Sequence, residues 1–346
     1  MQNRTAYLVD KQKIEVMDSP MPVCGDEDVV VEIKHVGICG SDMLFFNDYT
    51  VGGARDYKLP IVLGHEAAGI VVEKGKNVTS HEIGDRVALE PGVPCGKCEM
   101  CLSGHYNLCS HVVFFAAPPF ETGAYSKYVR HPAYMTFKLP DNMSTLEGAM
   151  VEPFSVGLSA LNRSTIGPGK RAIILGGGCI GQMMLLALKA AGIEHILVAD
   201  ILDNRLQKAK EMGAEFMVNS KDEDISETIE KYWGGRKADL VYETAGSHIT
   251  AQLGAKLLAK CGELIIVGNL HHPVSFDLLE MSKLEATLKT VWRYTNTYPT
   301  AIDLISSKKV DVANVVTNVY GFENIQKAFE TSLFDKQNAV KTVIEF

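Results

Sequence analysis

A thiol, an imidazole and a carboxylate lie close enough along this chain to bind one metal ion together. Cys39 stands in the segment ICGSD, and His65 and Glu66 stand in the segment GHEAAG. Three protein ligands of these types, with a position left open for water or substrate, are typical of catalytic zinc. Glu152, in the segment VEP, is a further carboxylate that could face the same site. We therefore predict a Lewis-acid metal centre formed mainly by the first part of the chain.

Each of these residues also has an ordinary structural interpretation. A single cysteine such as Cys39 is more often a small buried hydrophobe, His65 could be a hydrogen-bonded core histidine, and Glu152 could be a capping carboxylate. The pair His65-Glu66 does not begin the zinc-protease motif HExxH, because residue 69 is glycine. The metal interpretation therefore depends on the four residues acting together.

Four further cysteines are closely spaced, with two, two and seven residues between them: Cys95, Cys98, Cys101 and Cys109. Four thiolates can enclose one tetrahedral Zn²⁺ and leave no open position, so such a site is structural. Reactive thiols and an iron–sulfur cluster are the alternatives, and the loop-rich segment favours zinc. A redox sensor that releases this zinc on oxidation is a further alternative. In a chain of this length, close cysteine spacing favours metal over a disulfide framework.

A glycine-rich loop follows a strand-like run and precedes an apolar helical segment. The loop GGGCIG fits the pattern GxGxxG. In that pattern Gly176 allows a tight turn, Gly178 lets the backbone approach a pyrophosphate, and Gly181 allows close helix–strand packing. Asp200 ends the next predicted strand, where it would accept hydrogen bonds from ribose hydroxyls and repel a 2′-phosphate. This context favours an NAD site over an NADP site and over a purely structural glycine turn.

The composition excludes several classes of protein. The chain has 346 residues, of which 46% are hydrophobic and 22% charged, and this fits about two globular domains. Its net charge of −8 is opposite in sign to the basic face that a nucleic-acid partner would favour. No secretory signal is visible, and no window approaches the roughly 20 apolar residues of a membrane span. We therefore expect a cytoplasmic protein without a nucleic-acid or membrane partner.

The hydrophobic pattern changes once along the chain and then changes back. Residues 1–154 contain short strand-like runs between glycine and proline turns, which predicts a β-rich domain. Residues 155–289 alternate buried-type strands with helical segments, which predicts a doubly wound parallel sheet of the Rossmann type. Beyond this range the alternation ends, and we expect residues 290–346 to rejoin the first domain. The predicted fold class is α/β with a second, β-rich domain.

The spacing of glycines around His65 resembles a family signature. Residues 64–78 fit the pattern GHExxGxxxxxGxxV, which is similar to the zinc-containing alcohol dehydrogenase signature of the medium-chain dehydrogenase/reductase superfamily. The four cysteines and the glycine loop stand where that family has them, and the resemblance covers essentially the whole chain. It implies a GroES-like catalytic domain beside the Rossmann-type domain. Within the superfamily the chain is most similar to sorbitol and xylitol dehydrogenases, through the segments LEPG, VEPFSVG and RYTNTYP.

The resemblance implies roles for particular residues. Cys39, His65 and Glu66 would bind the catalytic zinc, with Glu152 as a further ligand or as the holder of the zinc-bound water. The residues that it places at the substrate are Ser41, Phe45, Phe114, Phe115, Arg293 and Tyr294. Those that it assigns to the cofactor are Gly176, Gly178, Cys179, Ile180, Gly181, Asp200, Arg205, Val267, Gly268 and Trp292.

The chain departs from the family pattern at two positions. Phe45 replaces a tyrosine of several polyol dehydrogenases, so one hydroxyl to the substrate is absent. Leu44 replaces a histidine that relays a proton in some alcohol dehydrogenases. The resemblance then implies that the proton leaves through Ser41 or through water held on Glu152.

The reaction that the resemblance implies is the zinc- and NAD-dependent oxidation of a polyol, such as sorbitol, L-iditol or xylitol, to a ketose. The same mechanism on L-threonine, 2,3-butanediol or a polyol phosphate is the alternative, although only Arg293 supports a phosphate-bearing substrate. A non-catalytic protein that keeps the fold is a third interpretation, which the complete ligand set disfavours. The resemblance also implies a homotetramer or a homodimer.

Overall fold

A computed structural model of the chain describes residues 2–48, 58–120 and 122–346. In chain order the strands are β1 (Asn3–Asp10), β2 (Lys13–Ser19), β3 (Asp28–Gly37), β4 (Ile61–Val62), β5 (Glu66–Lys74), β6 (Arg86–Leu89), β7 (Gly92–Val93), β8 (Val113–Phe114), β9 (Tyr128–Pro132), β10 (Thr136–Lys138), β11 (Arg171–Leu175), β12 (His195–Asp200), β13 (Phe216–Asn219), β14 (Ala238–Glu243), β15 (Leu258–Ile266), β16 (Thr287–Thr290), β17 (Asn318–Gly321) and β18 (Thr342–Glu345). The α-helices are α1 (Gly40–Asp48), α2 (Glu99–Leu102), α3 (Thr145–Ala149), α4 (Val151–Asn162), α5 (Cys179–Ala190), α6 (Asp203–Glu211), α7 (Ile225–Trp233), α8 (His248–Lys256), α9 (Leu278–Lys283), α10 (Tyr298–Ser306) and α11 (Ile325–Phe334).

The chain divides into two units. The first unit comprises Met1–Glu152, Tyr298–Lys308 and Val316–Phe346. The second comprises Pro153–Thr297 and Lys309–Val315. Each unit has its own hydrophobic cluster of buried residues.

The second unit is built on a parallel sheet with the strand order β13-β12-β11-β14-β15-β16. Its central strand β11 is buried from Ala172 to Leu175, which is the continuous apolar run that a strand covered on both faces requires. The strand order reverses between β11 and β14. Doubly wound sheets bind ligands outside the carboxyl ends of the strands at such a point. The predicted Rossmann-type sheet is therefore confirmed.

The first unit consists mainly of antiparallel strands. Its larger sheet has the order β10-β6-β5-β3-β18-β17, with β9 also paired to β3, and a smaller sheet has the order β2-β1-β4. Val31 and Ile33 of β3 belong to a buried core that also contains Phe46, Tyr125 and Phe329. The rings of Phe46 and Tyr125 pack against that of Phe329, with centroids 5.1 Å and 5.5 Å away. The β-rich character predicted for the first domain is confirmed.

Strand β3 has a neighbour on each side near its carboxyl end. In the antiparallel pair with β5, Gly37 lies opposite Glu66. In the antiparallel pair with β18, Gly37 lies opposite Val343. These two registers bring the segment after β3, the start of β5 and the start of β18 to one place, although they are far apart in the sequence.

The return to the first unit occurs at Tyr298, whereas the hydrophobic pattern placed the change near residue 290. Strand β16 continues the parallel sheet, and the amide of Val291 donates to the carbonyl of Ile266 at 2.9 Å. Helix α10 then begins at Tyr298, whose hydroxyl donates to the carbonyl of Leu89 at 2.9 Å. Strand pairing at the edge of the sheet therefore keeps residues up to Thr297 in the second unit.

The helices are short. Helices α4 and α5 have 12 residues each, whereas a helix that spans a bilayer needs about 20. Within the described ranges, no helix has both the length and the apolar character to cross a membrane.

Candidate active site

The three residues predicted to bind a catalytic metal converge in the first unit. Cys39, His65 and Glu66 each offer one ligand atom, and these atoms all lie within 4.8 Å of one another. The pairing of Gly37 with Glu66 explains the convergence, since Cys39 follows β3 by two residues and His65 directly precedes β5. Gly37 also leaves room for the carboxylate, because a Cβ atom there would lie 1.9 Å from Glu66 Oε2.

Asp42 fixes the backbone on both sides of this group. Its Oδ2 atom accepts a hydrogen bond from the amide of Cys39 at 3.0 Å, and its Oδ1 atom accepts one from the amide of Gly64 at 3.1 Å. The Oδ1 atom also lies 3.8 Å from Nδ1 of His65, which is an electrostatic contact rather than a hydrogen bond. The Tyr125 hydroxyl donates to Asp42 at 3.4 Å. Sequence reasoning missed this role, although Asp42 stands in the ICGSD segment.

Lys341 places a buried positive charge against the group. Its ammonium forms an ion pair with Glu66. Both side chains are almost completely buried, with exposed fractions of 2% for Lys341 and 1% for Glu66. The same ammonium donates to the carbonyl of Ile38 at 2.9 Å. Lys341 directly precedes β18, so the β3–β18 register positions it. No local pattern in the sequence could have indicated a residue so distant from Glu66.

The charges around His65 favour a cation at this place. Burial opposes a proton on the imidazole, but the interactions with Cys39, Asp42 and Glu152 outweigh it and raise the pKa of His65 to about 10. Burial raises the pKa of Asp42 above its usual value. A thiolate, an imidazole nitrogen and a carboxylate oxygen are all accepted ligands of Zn²⁺. A zinc ion fits this donor set, since it would supply the positive charge that the proton otherwise provides.

Glu152 lies near this group but does not join it. Among the described residues, the set whose donor atoms lie within 4.8 Å of one another contains Cys39, His65 and Glu66 without Glu152. Glu152 stands in the first turn of α4 and is buried. Its charge raises the pKa of His65 and of Glu90. From this position the Glu152 carboxylate influences the charge of the site without being one of the three grouped ligands.

Of the aromatic side chains predicted at the substrate, Phe114 lies beside His65. The ring of Phe114 lies 5.7 Å from that of His65, between centroids. Phe45 is buried on α1, and its ring packs edge-on against Phe120 at 4.9 Å. Ser41 is half-buried in the first turn of the same helix. Phe115 is also buried, but its ring packs on His131 at 4.9 Å.

The four remaining predicted metal ligands form a second cluster. Ligand atoms of Cys95, Cys98, Cys101 and Cys109 lie within 4.8 Å of one another, and these cysteines form no disulfide. Backbone amides point at the sulfurs: the amides of Cys95 and His111 each donate to Cys109 Sγ at 3.4 Å. A hydrogen bond from the backbone of Lys97 is the main reason that the pKa of Cys95 falls to about 6. Four sulfurs at this spacing fit a closed tetrahedral zinc site.

In the second unit, the glycine loop has the geometry that its pattern predicts. Gly176 has a φ angle of +109°, which favours glycine. Gly178 is the N-cap of α5, and Cys179 opens that helix. A Cβ atom on Gly181 would lie 1.9 Å from the carbonyl oxygen of Gly176, so only glycine lets the helix pack here. Backbone amides at a helix N-terminus favour a phosphate group.

Asp200 is the last residue of β12, and its carboxylate is surrounded by donors. Oδ2 accepts from the amide of Gly177 at 2.7 Å and from Nη1 of Arg205 at 3.3 Å. Oδ1 accepts from the amides of Ile201 and Leu202 at 2.7 Å and 3.0 Å. Asp200 therefore connects the glycine loop, the turn after β12 and helix α6.

Most of the other predicted residues of the second unit lie after β15 and β16. The amides of Val267 and Gly268 both donate to the carbonyl of Glu243 at 2.9 Å. The Arg293 guanidinium lies 5.5 Å above the ring of Trp292, which is 56% exposed. Three other predicted residues are placed as follows: Ile180 lies in the first turn of α5, Arg205 in α6, and Tyr294 is buried.

Comparison with known proteins gives two family matches. The alcohol dehydrogenase GroES-like domain matches residues 25–141, and the zinc-binding dehydrogenase domain matches residues 179–307. An uncharacterized zinc-type alcohol dehydrogenase-like protein of Escherichia coli (strain K12) is 41% identical over 345 residues, which cover 100% of this chain and 99% of that protein. A sorbitol dehydrogenase of Bacillus subtilis (strain 168) is 36% identical over 342 residues, with 99% and 96% covered.

A solved structure has nearly the same fold. The crystal structure of an oxidoreductase/dehydrogenase of unknown specificity from Escherichia coli matches with a TM-score of 0.96 and 40% identity, over 100% of this chain and 99% of that chain. Together with the two family matches, this result confirms the predicted resemblance and the GroES-like first domain.

The ion pair of Lys341 with Glu66 generates a stability prediction. In metal-free protein, Lys341→Met leaves the Glu66 carboxylate buried without its ion-pair partner, and we expect a loss of about 3–5 kcal/mol in the free energy of unfolding. With zinc bound, the loss is smaller because the metal neutralises the carboxylate. Denaturant unfolding with and without chelator measures both values. Lys327→Met, at an exposed position of α11, is the matched control, and equal losses in both forms would contradict the prediction.

Proposed function

The chain belongs to the zinc-binding alcohol dehydrogenase family, and we propose that it oxidises a secondary alcohol of a polyol to a ketose with NAD⁺. The observation that carries the proposal is the convergence of half-buried Cys39 with buried His65 and Glu66. The likeness to a sorbitol dehydrogenase of Bacillus subtilis supports a polyol as the substrate class. The polyols that we propose first are sorbitol, L-iditol and xylitol.

The residues of the first unit have distinct tasks in this reaction. Cys39, His65 and Glu66 would hold zinc, which supplies a Lewis acid that lowers the pKa of a hydroxyl group, while the nicotinamide ring accepts a hydride. The substrate hydroxyl gives its proton either to Ser41, two residues after Cys39, which passes its own hydroxyl proton on to water, or to a water molecule held on Glu152. Lys341 keeps the Glu66 carboxylate in place during these steps.

The apolar walls and the polyol-binding residues complete the proposal. Phe114, which packs near His65, excludes water from one side of the reacting oxygen. Phe45 adds apolar surface where a tyrosine would add a hydroxyl. We assign the recognition of further substrate hydroxyls to Arg293 and Tyr294, as the family resemblance implies. The alternatives are the same chemistry on L-threonine, 2,3-butanediol or a polyol phosphate.

NAD⁺ is the proposed cofactor because of Asp200. Its carboxylate stands at the end of β12 and beside the glycine loop, where the adenosine ribose of a dinucleotide binds in doubly wound sheets. A negative charge there accepts hydrogen bonds from ribose hydroxyls and repels a 2′-phosphate. Arg205 could attract that phosphate, but its guanidinium is already paired with Asp200.

The first test is the reduction of NAD⁺ with a panel of alcohols, before and after chelation. We expect chelator-sensitive turnover on sorbitol, L-iditol or xylitol and little on ethanol. Cys39→Ser removes one of three ligands, so we expect loss of activity and of one of the two zinc ions that the two clusters would bind. NADH binding should remain, because Cys39 lies outside the dinucleotide loop.

Cys24→Ser is the matched control for this variant. Cys24 lies outside both metal-binding groups, so its replacement should change neither the zinc content nor the turnover. Turnover by Cys39→Ser would refute the ligand assignment. Turnover on L-threonine or 2,3-butanediol without polyol oxidation would keep the metal chemistry and overturn the proposed substrate class.

Asp200→Asn tests the proposed cofactor preference. The change removes the negative charge but keeps a side-chain acceptor near the amide of Gly177. We expect the ratio of kcat/KM for NADP⁺ to that for NAD⁺ to rise roughly tenfold, which corresponds to about 1.4 kcal/mol. Asp203→Asn removes the same charge at an exposed position three residues away and should leave the ratio unchanged. An unchanged ratio in Asp200→Asn would remove the basis for proposing NAD⁺.

We also propose a homodimer or a homotetramer in which β16 pairs with its copy in a second chain. Strand β16 ends the parallel sheet, and among the described strands it has a neighbour only on the β15 side. Leu288 of β16 has an exposed side chain, as do Leu278 and Leu279 of α9, which precedes β16 in the sequence. Light scattering measures the mass in solution, and a monomer would contradict the proposal. Cytoplasmic location and the absence of a nucleic-acid partner stay predictions.

A further inference from the structure

Glu243 is a buried carboxylate at the carboxyl edge of the parallel sheet. It is the last residue of β14, and its side chain is fully buried. Its Oε1 atom accepts hydrogen bonds from the amides of Ala245 and Ser247 at 3.0 Å and 3.3 Å. The same atom accepts one from the Thr250 hydroxyl at 2.6 Å. One carboxylate oxygen therefore fixes the loop after β14 and the first turn of α8.

The same residue fixes a second loop. Its carbonyl oxygen accepts from the amides of Val267 and Gly268, both at 2.9 Å. Its Oε2 atom faces Gly268 closely, since a Cβ atom on that glycine would lie 2.7 Å from Oε2 and 2.3 Å from the amide nitrogen of Gly246. The loop after β15 therefore lies directly on the Glu243 side chain.

The loop after β14 contacts the glycine loop as well. The Thr244 hydroxyl donates to the carbonyl of Gly176 at 2.7 Å. A Cβ atom on Gly176 would lie 2.8 Å from the amide nitrogen of Ala245. The position of residues 244–247, which the Glu243 carboxylate fixes, thus determines what space is left beside the first glycine of the loop.

We propose that Glu243 is a positioning residue for the nicotinamide half of the dinucleotide site. In a doubly wound sheet the dinucleotide crosses the point where the strand order reverses, with one half on each side. Asp200 on β12 marks the adenosine side, so the loops after β14 and β15 serve the other half. The inference rests on the proposed function only in that the ligand is a nicotinamide dinucleotide.

The chemistry of Glu243 explains why a carboxylate is needed. A carboxylate is charged, and hydrogen bonds to a charged acceptor are roughly twice as strong as those to the neutral oxygen of a glutamine amide. Three donors reach Oε1 alone. A glutamine would also place an NH₂ group where Oε2 now faces the backbone of Gly246 and Gly268. Burial raises the pKa of Glu243, and the donors of the loop oppose this shift.

The test compares NADH with AMP, which occupies the adenosine half alone. For Glu243→Gln we expect the Kd of NADH to rise about tenfold, the effect of losing one buried charged hydrogen bond. The Kd of AMP should change less than about twofold, because Asp200 and its donors are untouched. Fluorescence of NADH and calorimetry with AMP measure these values in the full-length chain.

Two further variants keep the test decisive. Glu263→Gln removes another buried carboxylate of the second unit, which lies within β15 and pairs with Lys289 at 3.0 Å. It should lower stability without changing the ratio of the two Kd values. If Glu243→Gln does not fold, Thr250→Val removes one donor to the carboxylate, and we expect a rise of about threefold for NADH alone.

The outcomes separate the inference from the proposed function. Equal weakening of NADH and AMP, or unchanged NADH binding in the Glu243 and Thr250 variants, would overturn the positioning role. Failure of the unaltered protein to bind NADH would instead overturn the proposed function. A larger loss for NADH than for AMP, without the same change in Glu263→Gln, supports the inference.

Discussion

Buried negative charge at the end of strand β3 is the constraint on which the first unit depends. Cys39, Glu66 and Asp42 lie around His65 there, and the charge of Glu152 acts on His65 as well. Water cannot screen these charges, so cations must compensate them. Lys341 supplies one positive charge, and a proton on His65 or a metal ion supplies the rest. A cation beside such a group stabilises it, so the site suits a resident metal.

Two carboxylates have corresponding positions in the second unit. Asp200 ends β12 and Glu243 ends β14, on opposite sides of the central strand β11. Each accepts hydrogen bonds from backbone amides of the loop that follows its own strand. Asp200 also accepts from the amide of Gly177 in the glycine loop. Loops at the carboxyl edge would otherwise leave these amides without partners, so the carboxylates determine the shape of the ligand-binding edge.

The sequence allowed the local parts of both sites to be predicted, because their signals are short spacings. GHEAAG, the four cysteines and GGGCIG each bring their residues together within one turn, strand or loop. Lys341 and Glu243 could not be found in this way. Lys341 meets Glu66 only through the register of β18 with β3, and Glu243 has a role only because β14 lies between β11 and β15. Both placements depend on long-range strand pairing, which the spacing of residues along the chain does not reveal.

The same limit applies to the point at which the chain returns to the first unit. The alternation of strands and helices is lost near residue 290, but β16 still pairs with β15 and keeps the following residues in the second unit. An edge strand of four residues with mostly exposed side chains has no strong hydrophobic pattern. Its membership of the sheet depends on backbone hydrogen bonds, which any sequence without proline can form.

The four-cysteine cluster also contributes to the environment of the catalytic group. The short helix α2 and the 3₁₀ turn Tyr106–Leu108 contain no buried residue, so this segment has little hydrophobic core and depends on its metal for order. Tyr106 of that turn donates to Glu90 at 2.7 Å. Burial raises the pKa of Glu90 to about 7, the Tyr106 hydrogen bond opposes this shift, and the charge of Glu152 adds to it. A change in the cysteine cluster that moves Tyr106 therefore alters the charge of Glu90, and through it the field at Glu152.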